Sequence, residues 1–111
     1  MRLLIYNCRG LGSKRAVRAL RSLLRQTSPQ VVFLMETKQT TSENEEPRKE
    51  LGFIHGDSWA MDTSRGGRAG RLSLWWVEEV NISVMYASLH CIDVKVVDHG
   101  DVVWRFTGMY G

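Results

Sequence analysis

Leu3-Leu4-Ile5-Tyr6, then Ser13 through Gln26, then Val31-Val32-Phe33-Leu34-Met35 are the three pieces that decide how this chain folds. The first is apolar and bounded by Asn7, Gly10 and Gly12, which reads as a buried strand running into a loop. In the second, Ser13 is a helix N-cap, and Val17, Leu20 and Leu24 recur at helical spacing until Pro29 forbids continuation. Lys14, Arg18, Arg21 and Arg25 recur on the opposite side, giving an amphipathic helix with a basic face. The third piece is a continuous β-favouring run, typical of a strand covered on both sides. Strand, helix and strand in succession make a βαβ unit, most simply parallel with a right-handed crossover. Asn7 and Glu36 then fall together at the carboxyl ends of the two strands, the edge where open α/β sheets bind ligands.

Beyond this unit the pattern changes. Residues 37–50 are polar and read as a loop with room for a short helix before Leu51. Strands are expected over Phe53–Met61, Leu72–Val77, Asn81–Ala87, Leu89–Val97 and Val102–Tyr110, with Asp98-His99-Gly100-Asp101 as a hairpin turn. The fold class is α/β, a βαβ unit followed by antiparallel strands in a mixed sheet. One long helix cannot cover both faces of so apolar a sheet, so an open apolar face is expected, to be covered by a partner, by more chain or by self-association. Trp59, Trp75, Trp76 and Trp104 read as packing residues. Adjacent Trp75 and Trp76 must face opposite sides of a strand, which places one of them on that open face.

The 111 residues carry 43% hydrophobic and 24% charged side chains, a globular composition rather than a disordered one. No run approaches the roughly 18–20 apolar residues of a membrane span, and the N-terminal apolar segment is too short for a secretory signal. Cys8 and Cys91 lie far apart without metal-ligand spacing, so reduced thiols in an intracellular setting are expected. The net charge of +3 is a weak pointer to polyanions, but its distribution is uneven. Arg2, Arg9, Lys14, Arg15, Arg18, Arg21 and Arg25 all precede the first acidic residue, Glu36.

Glu36 at a strand end could hold a hard cation such as Mg²⁺, which often takes only one or two carboxylates besides waters and phosphate oxygens. Asn7 beside it either orients that carboxylate or hydrogen-bonds a phosphate oxygen. The stretches Tyr6-Asn7-Cys8-Arg9-Gly10-Leu11-Gly12 and Pro29 to Lys38 carry a resemblance, as do Arg68 to Trp75, His90 to Val94 and Trp104 to Gly111. In family order, they resemble the opening of the endonuclease/exonuclease/phosphatase superfamily, and most closely the endonuclease domains of plant LINE-type (non-LTR) retrotransposons.

That resemblance implies residues 1–111 to be the N-terminal half of a four-layered α/β sandwich that hydrolyses DNA phosphodiester bonds with Mg²⁺ or Mn²⁺, nuclear if functional. It implies Glu36 as the metal ligand and Asn7 and Tyr110 as catalytic-site residues. Arg65 and Arg68, in a Gly-rich loop, are the DNA-contact candidates. Arg71 departs from the second Gly of a pair usual before the following strand in the family. The family's Asp-x-Asn and Ser-Asp-His motifs are missing, and His55, His90 and His99 read as structural or solvated. The chain by itself is therefore expected to be inactive. The competing readings are a non-catalytic nucleic-acid or protein binding module, and an unstable remnant.

Overall fold

Ser13 starts the helix as its sequence requires. In the computed structural model, which describes residues 2–38, 41–53, 55–59, 72–88, 90–98 and 102–109, its side-chain oxygen accepts the Ala16 amide at 3.0 Å. Helix α1 (Lys14–Thr27) buries Leu20 and Leu24 and ends at Ser28, whose left-handed backbone (φ +46°) lets its amide donate to the Leu24 carbonyl at 2.8 Å. The helix connects β1 (Leu3–Asn7) to β2 (Val31–Met35), which run parallel with Leu3 beside Val31 and Asn7 beside Met35. The expected βαβ unit is present at its expected bounds.

The next segment takes the helical option left open before Leu51. Helix α2 (Thr41–Glu50) fills most of the stretch read as a loop, with Pro47 inside it. No apolar stripe announces this helix, because almost every side chain on it is polar. Its ends hold it instead. Lys49 lies 3.3 Å from Glu45 one turn earlier, and Gly52 (φ +93°) and Phe53 return their amides to the carbonyls of Lys49 and Arg48.

Strand β3 (His55–Trp59) falls within the expected Phe53–Met61, of which residues 54, 60 and 61 lie outside the described residues, and Phe53 packs under the helices instead of joining the strand. Strand β4 (Leu72–Trp76) lies antiparallel between β2 and β3, giving a mixed sheet in the order β1-β2-β4-β3. The remaining strands, β5 (Asn81–Ala87), β6 (Cys91–Asp98) and β7 (Val102–Met109), make a separate antiparallel sheet. Asp98 pairs with Val102 as the hairpin requires, while turn residues 99–101 lie outside the described residues. In β5 the register shifts between Val84 and Tyr86, leaving Met85 as the extra residue of a bulge.

Two apolar layers hold the molecule together. Val32, Leu34 and Trp75 point toward α1 and pack with Leu11, Leu20, Leu24 and Phe53. Val31, Phe33, Leu72 and Leu74 point the other way and meet Ile92, Val94 and Val96 of the second sheet. The expectation of an open apolar face is thereby corrected. The mixed sheet is covered by helices on one side and by the chain's own second sheet on the other. Trp75 and Trp76 do face opposite ways, but neither lies on an open face. Trp75 is 1% exposed beneath the helices, and Trp76 packs against the inter-sheet layer and stacks on His55. The outer face of the second sheet exposes Ser83, Lys95, Arg105 and Thr107 together with Tyr86 and Met109. The fold is thus an α/β sandwich in three layers: helices, mixed sheet, antiparallel sheet.

Candidate functional site

Past the ends of β1 and β2 the two chain segments keep pairing. The amides of Cys8, Gly10 and Leu11 donate to the carbonyls of Met35, Glu36 and Thr37 at 2.9, 2.7 and 2.8 Å. This continued ladder demands unusual backbone. Arg9 (φ +50°), Gly10 (+97°), Glu36 (+52°) and Lys38 (+56°) are all left-handed. Three of these four are not glycine, and each non-glycine residue there costs on the order of 1–2 kcal/mol. The surrounding ladder of hydrogen bonds must offset that cost, so the backbone of this edge is held in a set shape.

What that shape presents is Asn7 and Glu36. The Asn7 Nδ2 donates to Glu36 Oε2 at 2.5 Å, and the Asn7 Oδ1 accepts the Arg9 amide at 3.0 Å. The backbone amide of Arg9 can only donate, so it fixes which end of the Asn7 carboxamide faces the carboxylate. The two side chains that strand order placed at one edge are thus in direct contact. Among the described residues, Glu36 Oε1 makes no hydrogen bond.

Two groups at this edge had no signal in the sequence. The Cys8 thiol is pushed up to about 12 by burial first and by the Glu36 carboxylate second, so it stays protonated. Thr37 is fully buried, and its Oγ1 has no hydrogen-bond partner among the described residues. Adjacency to Asn7 and Glu36 was the only hint of either.

The donor set suits a hard cation. It offers a carboxylate oxygen held by a carboxamide, and the soft donor beside it, the Cys8 thiol, is held protonated, which suits Mg²⁺ or Mn²⁺ with waters completing the shell. Among the described residues no group of three or more His, Cys, Asp or Glu side chains is gathered, so an all-protein cage is not what this site offers.

The other candidates are placed as follows. Tyr110, Arg65, Arg68 and His99 lie outside the described residues, as do Arg71 and the side chain of Trp59. His55 pairs with Trp76 at the Val31 end of the sheet, at the opposite end of β2 from Glu36. The His90 amide donates to Ser88 Oγ between β5 and β6. The basic face of α1 looks across a groove of about 510 Å³ onto the glutamates of α2, and Arg21 closes it at one point with a 2.8 Å ion pair to Glu50. No helix among the described residues is long and apolar enough to cross a membrane.

Helices over a mixed sheet over an antiparallel sheet define the class: a layered α/β sandwich, an architecture this chain shares with solved proteins. Among 24 matching solved chains is D. rerio TDP2, humanized by 14 mutations, with a TM-score of 0.58 and 15% sequence identity. The match covers 100% of this chain and 48% of that one, so the chain spans about half the length of the solved protein it resembles. The likeness establishes the fold alone. No family model matches the sequence, and no curated protein matches it either.

Proposed function

We propose that this chain supplies the metal-holding half of a site that hydrolyses DNA phosphodiester bonds, and that it does not cleave DNA by itself. The observation carrying this reading is the Asn7–Glu36 hydrogen bond across the carboxyl ends of two parallel strands, at a glutamate held in left-handed backbone. In this reading Glu36 holds Mg²⁺ or Mn²⁺, and Asn7 keeps the carboxylate turned toward it. A cation bound there polarises the phosphate and stabilises the leaving oxygen. Asn7 spends both ends of its amide on Arg9 and Glu36, so its part is to orient rather than to touch substrate. Cys8, held protonated, adds no competing charge beside Glu36.

The attacking water needs an acid–base group that the described residues do not place at this edge, since His55 is engaged by Trp76 at the far end of the sheet. This supports the reading that the chain does not cleave DNA by itself. The resemblance carried by residues 6–12 and 29–38 implies a retrotransposon-type endonuclease acting on nuclear DNA, with Tyr110 near the scissile phosphate, and Arg65 and Arg68 of the Gly-rich loop are the candidates for the DNA backbone.

The test pairs metal binding with cleavage. Mn²⁺ titration followed by electron paramagnetic resonance should report binding that Glu36→Ala weakens at least about tenfold, a loss of roughly 1.4 kcal/mol. Supercoiled plasmid with Mg²⁺ should remain intact under both proteins. Equal Mn²⁺ binding by two folded proteins would remove Glu36 from its role. Nicking that needs both Mg²⁺ and Glu36 would keep the hydrolase reading and overturn the inactivity.

A further inference from the structure

The residues other than glycine that hold left-handed backbone at the carboxyl edge of the mixed sheet are all charged: Arg9 (φ +50°), Glu36 (φ +52°) and Lys38 (φ +56°). A carboxylate with two cations for neighbours has every opportunity for an ion pair. Glu36 nevertheless takes its hydrogen bond from the neutral carboxamide of Asn7. Neither Arg9 nor Lys38 makes an ion pair or a side-chain hydrogen bond among the described residues.

The strand ends bring the two cations close together. The Gly10 amide, next to Arg9, donates to the Glu36 carbonyl at 2.7 Å, and the Leu11 amide donates to the Thr37 carbonyl at 2.8 Å. Arg9 is tied to the site a second time, since its own amide donates to Asn7 Oδ1 at 3.0 Å. Lys38 returns along the same turn, with its Cδ 3.7 Å from where a Cβ on Gly10 would stand. Both side chains are exposed. The basic face of α1 is arranged differently. Arg21 is engaged by Glu50, and the groove beside Lys14 and Arg18 is also lined by Glu43 and Glu46, so a polyanion approaching there meets fixed carboxylates. At the sheet edge the neighbouring carboxylate is Glu36, whose charge a bound dication more than offsets.

We infer that Arg9 and Lys38 bind the backbone phosphates of DNA beside the metal position at Glu36, in addition to the Arg65 and Arg68 candidates of the Gly-rich loop. The inference rests on the hydrolase reading for the place of the metal, but the phosphate contacts themselves need no metal. Contacts of this kind carry affinity and position the strand without reading its sequence, so a duplex of any sequence serves as the probe.

Fluorescence anisotropy of a short labelled DNA duplex tests it on the whole chain, first in EDTA. Asparagine is neutral and accepts left-handed backbone, so Arg9→Asn with Lys38→Asn should keep the circular dichroism spectrum. That double variant should bind at least about tenfold more weakly, and each lost contact should reduce the salt slope of the log affinity by about 0.9. Arg9→Lys with Lys38→Arg keeps both charges and should retain the wild-type slope. Lys14→Gln with Arg18→Gln, on the basic face of α1, should change affinity by less than about twofold. Glu36→Gln should tighten binding in EDTA, because it removes an anion from beside the two cations. Unchanged affinity and slope in the folded Arg9→Asn, Lys38→Asn protein overturn the inference, as does an equal loss from the α1 variant or a wild-type chain that does not bind the duplex at low salt. The metal reading fails separately, if Mn²⁺ leaves wild-type affinity unchanged while the results in EDTA still support the two cations.

Discussion

Gly108 of β7 rests directly on the ring of Phe33 in β2: a Cβ at Gly108 would stand 2.9 Å from Cζ and 3.0 Å from both Cε atoms. The two sheets approach this closely because one of the two positions has no side chain. Gly108→Ala must push the ring or the strand aside, at a cost of about 1–3 kcal/mol, readable as a lowered urea midpoint. With Phe33→Leu in the same chain the two losses should be less than additive, because the second change removes the atoms the first one strikes.

Glu36 predicts a separation of stability from binding. Alanine at φ +52° keeps the strain of the left-handed backbone, whereas glycine relieves it and loses some unfolded-state entropy in exchange. Glu36→Gly should therefore be about 0.5–1 kcal/mol more stable than Glu36→Ala by denaturant titration. Both variants should lose Mn²⁺ binding alike. Equal stability of the two would show that the backbone there is not strained.

The Cys8 thiol, raised from 9.0 to about 12, gives a test in alkali. At a given pH below 9.0 the folded chain holds roughly a thousandfold less Cys8 thiolate than the unfolded chain, by the three-unit difference. In a Cys91→Ser background, iodoacetamide should modify the native protein far more slowly than the urea-unfolded one. Glu36→Gln should speed the native reaction by removing the carboxylate that opposes ionisation. The linkage sign follows from a raised folded pKa. The stabilisation is intact below pH 9.0 and declines as pH rises toward 12, so thermal stability should fall across that interval.

On the second sheet, Arg105 grips Asp93 with both carboxylate oxygens, at 2.9 and 2.6 Å, and Thr107 adds a 3.3 Å bond. These bonds hold the Asp93 carboxyl below its ordinary 3.8, chiefly through the hydrogen bond to Arg105. A lowered carboxyl pKa stabilises the fold above the unfolded value and ceases to do so as pH falls through the folded one. Asp93→Asn should flatten the acid side of the stability curve below about pH 4, with a small effect at neutral pH because the pair is at the surface.

The first 36 residues were legible because each element carries its own local signal. Ser13 and Pro29 bracket α1, and the unbroken run from Val31 to Met35 announces a strand covered on both sides. Helix α2 was legible only as room for a short helix before Leu51, since a helix without an apolar stripe leaves little but its Gly52 stop to be noticed. The second layer of strands was read as part of one sheet. Alternation in Ile92-Asp93-Val94-Lys95-Val96 tells that one face is buried, but not against what, and the cover proved to be another sheet. At the site, the pairing of Asn7 with Glu36 could be read from strand order. The left-handed Arg9, Glu36 and Lys38 could not, because only Gly10 among the four is a residue that advertises such backbone.

The double use of the Asn7 carboxamide sets a narrow limit on what evolution could put there. Aspartate has the same shape and could accept the Arg9 amide, but it has no hydrogen to give Glu36 and would set a second negative charge against it. Serine is too short to serve both neighbours at once, and histidine too bulky to fit between them in the same pose. Of the side chains of this size, only one with an acceptor and a donor side by side meets both demands. Position 7 is thus one at which drift by single conservative steps is closed off, although the residue itself lies exposed on the surface.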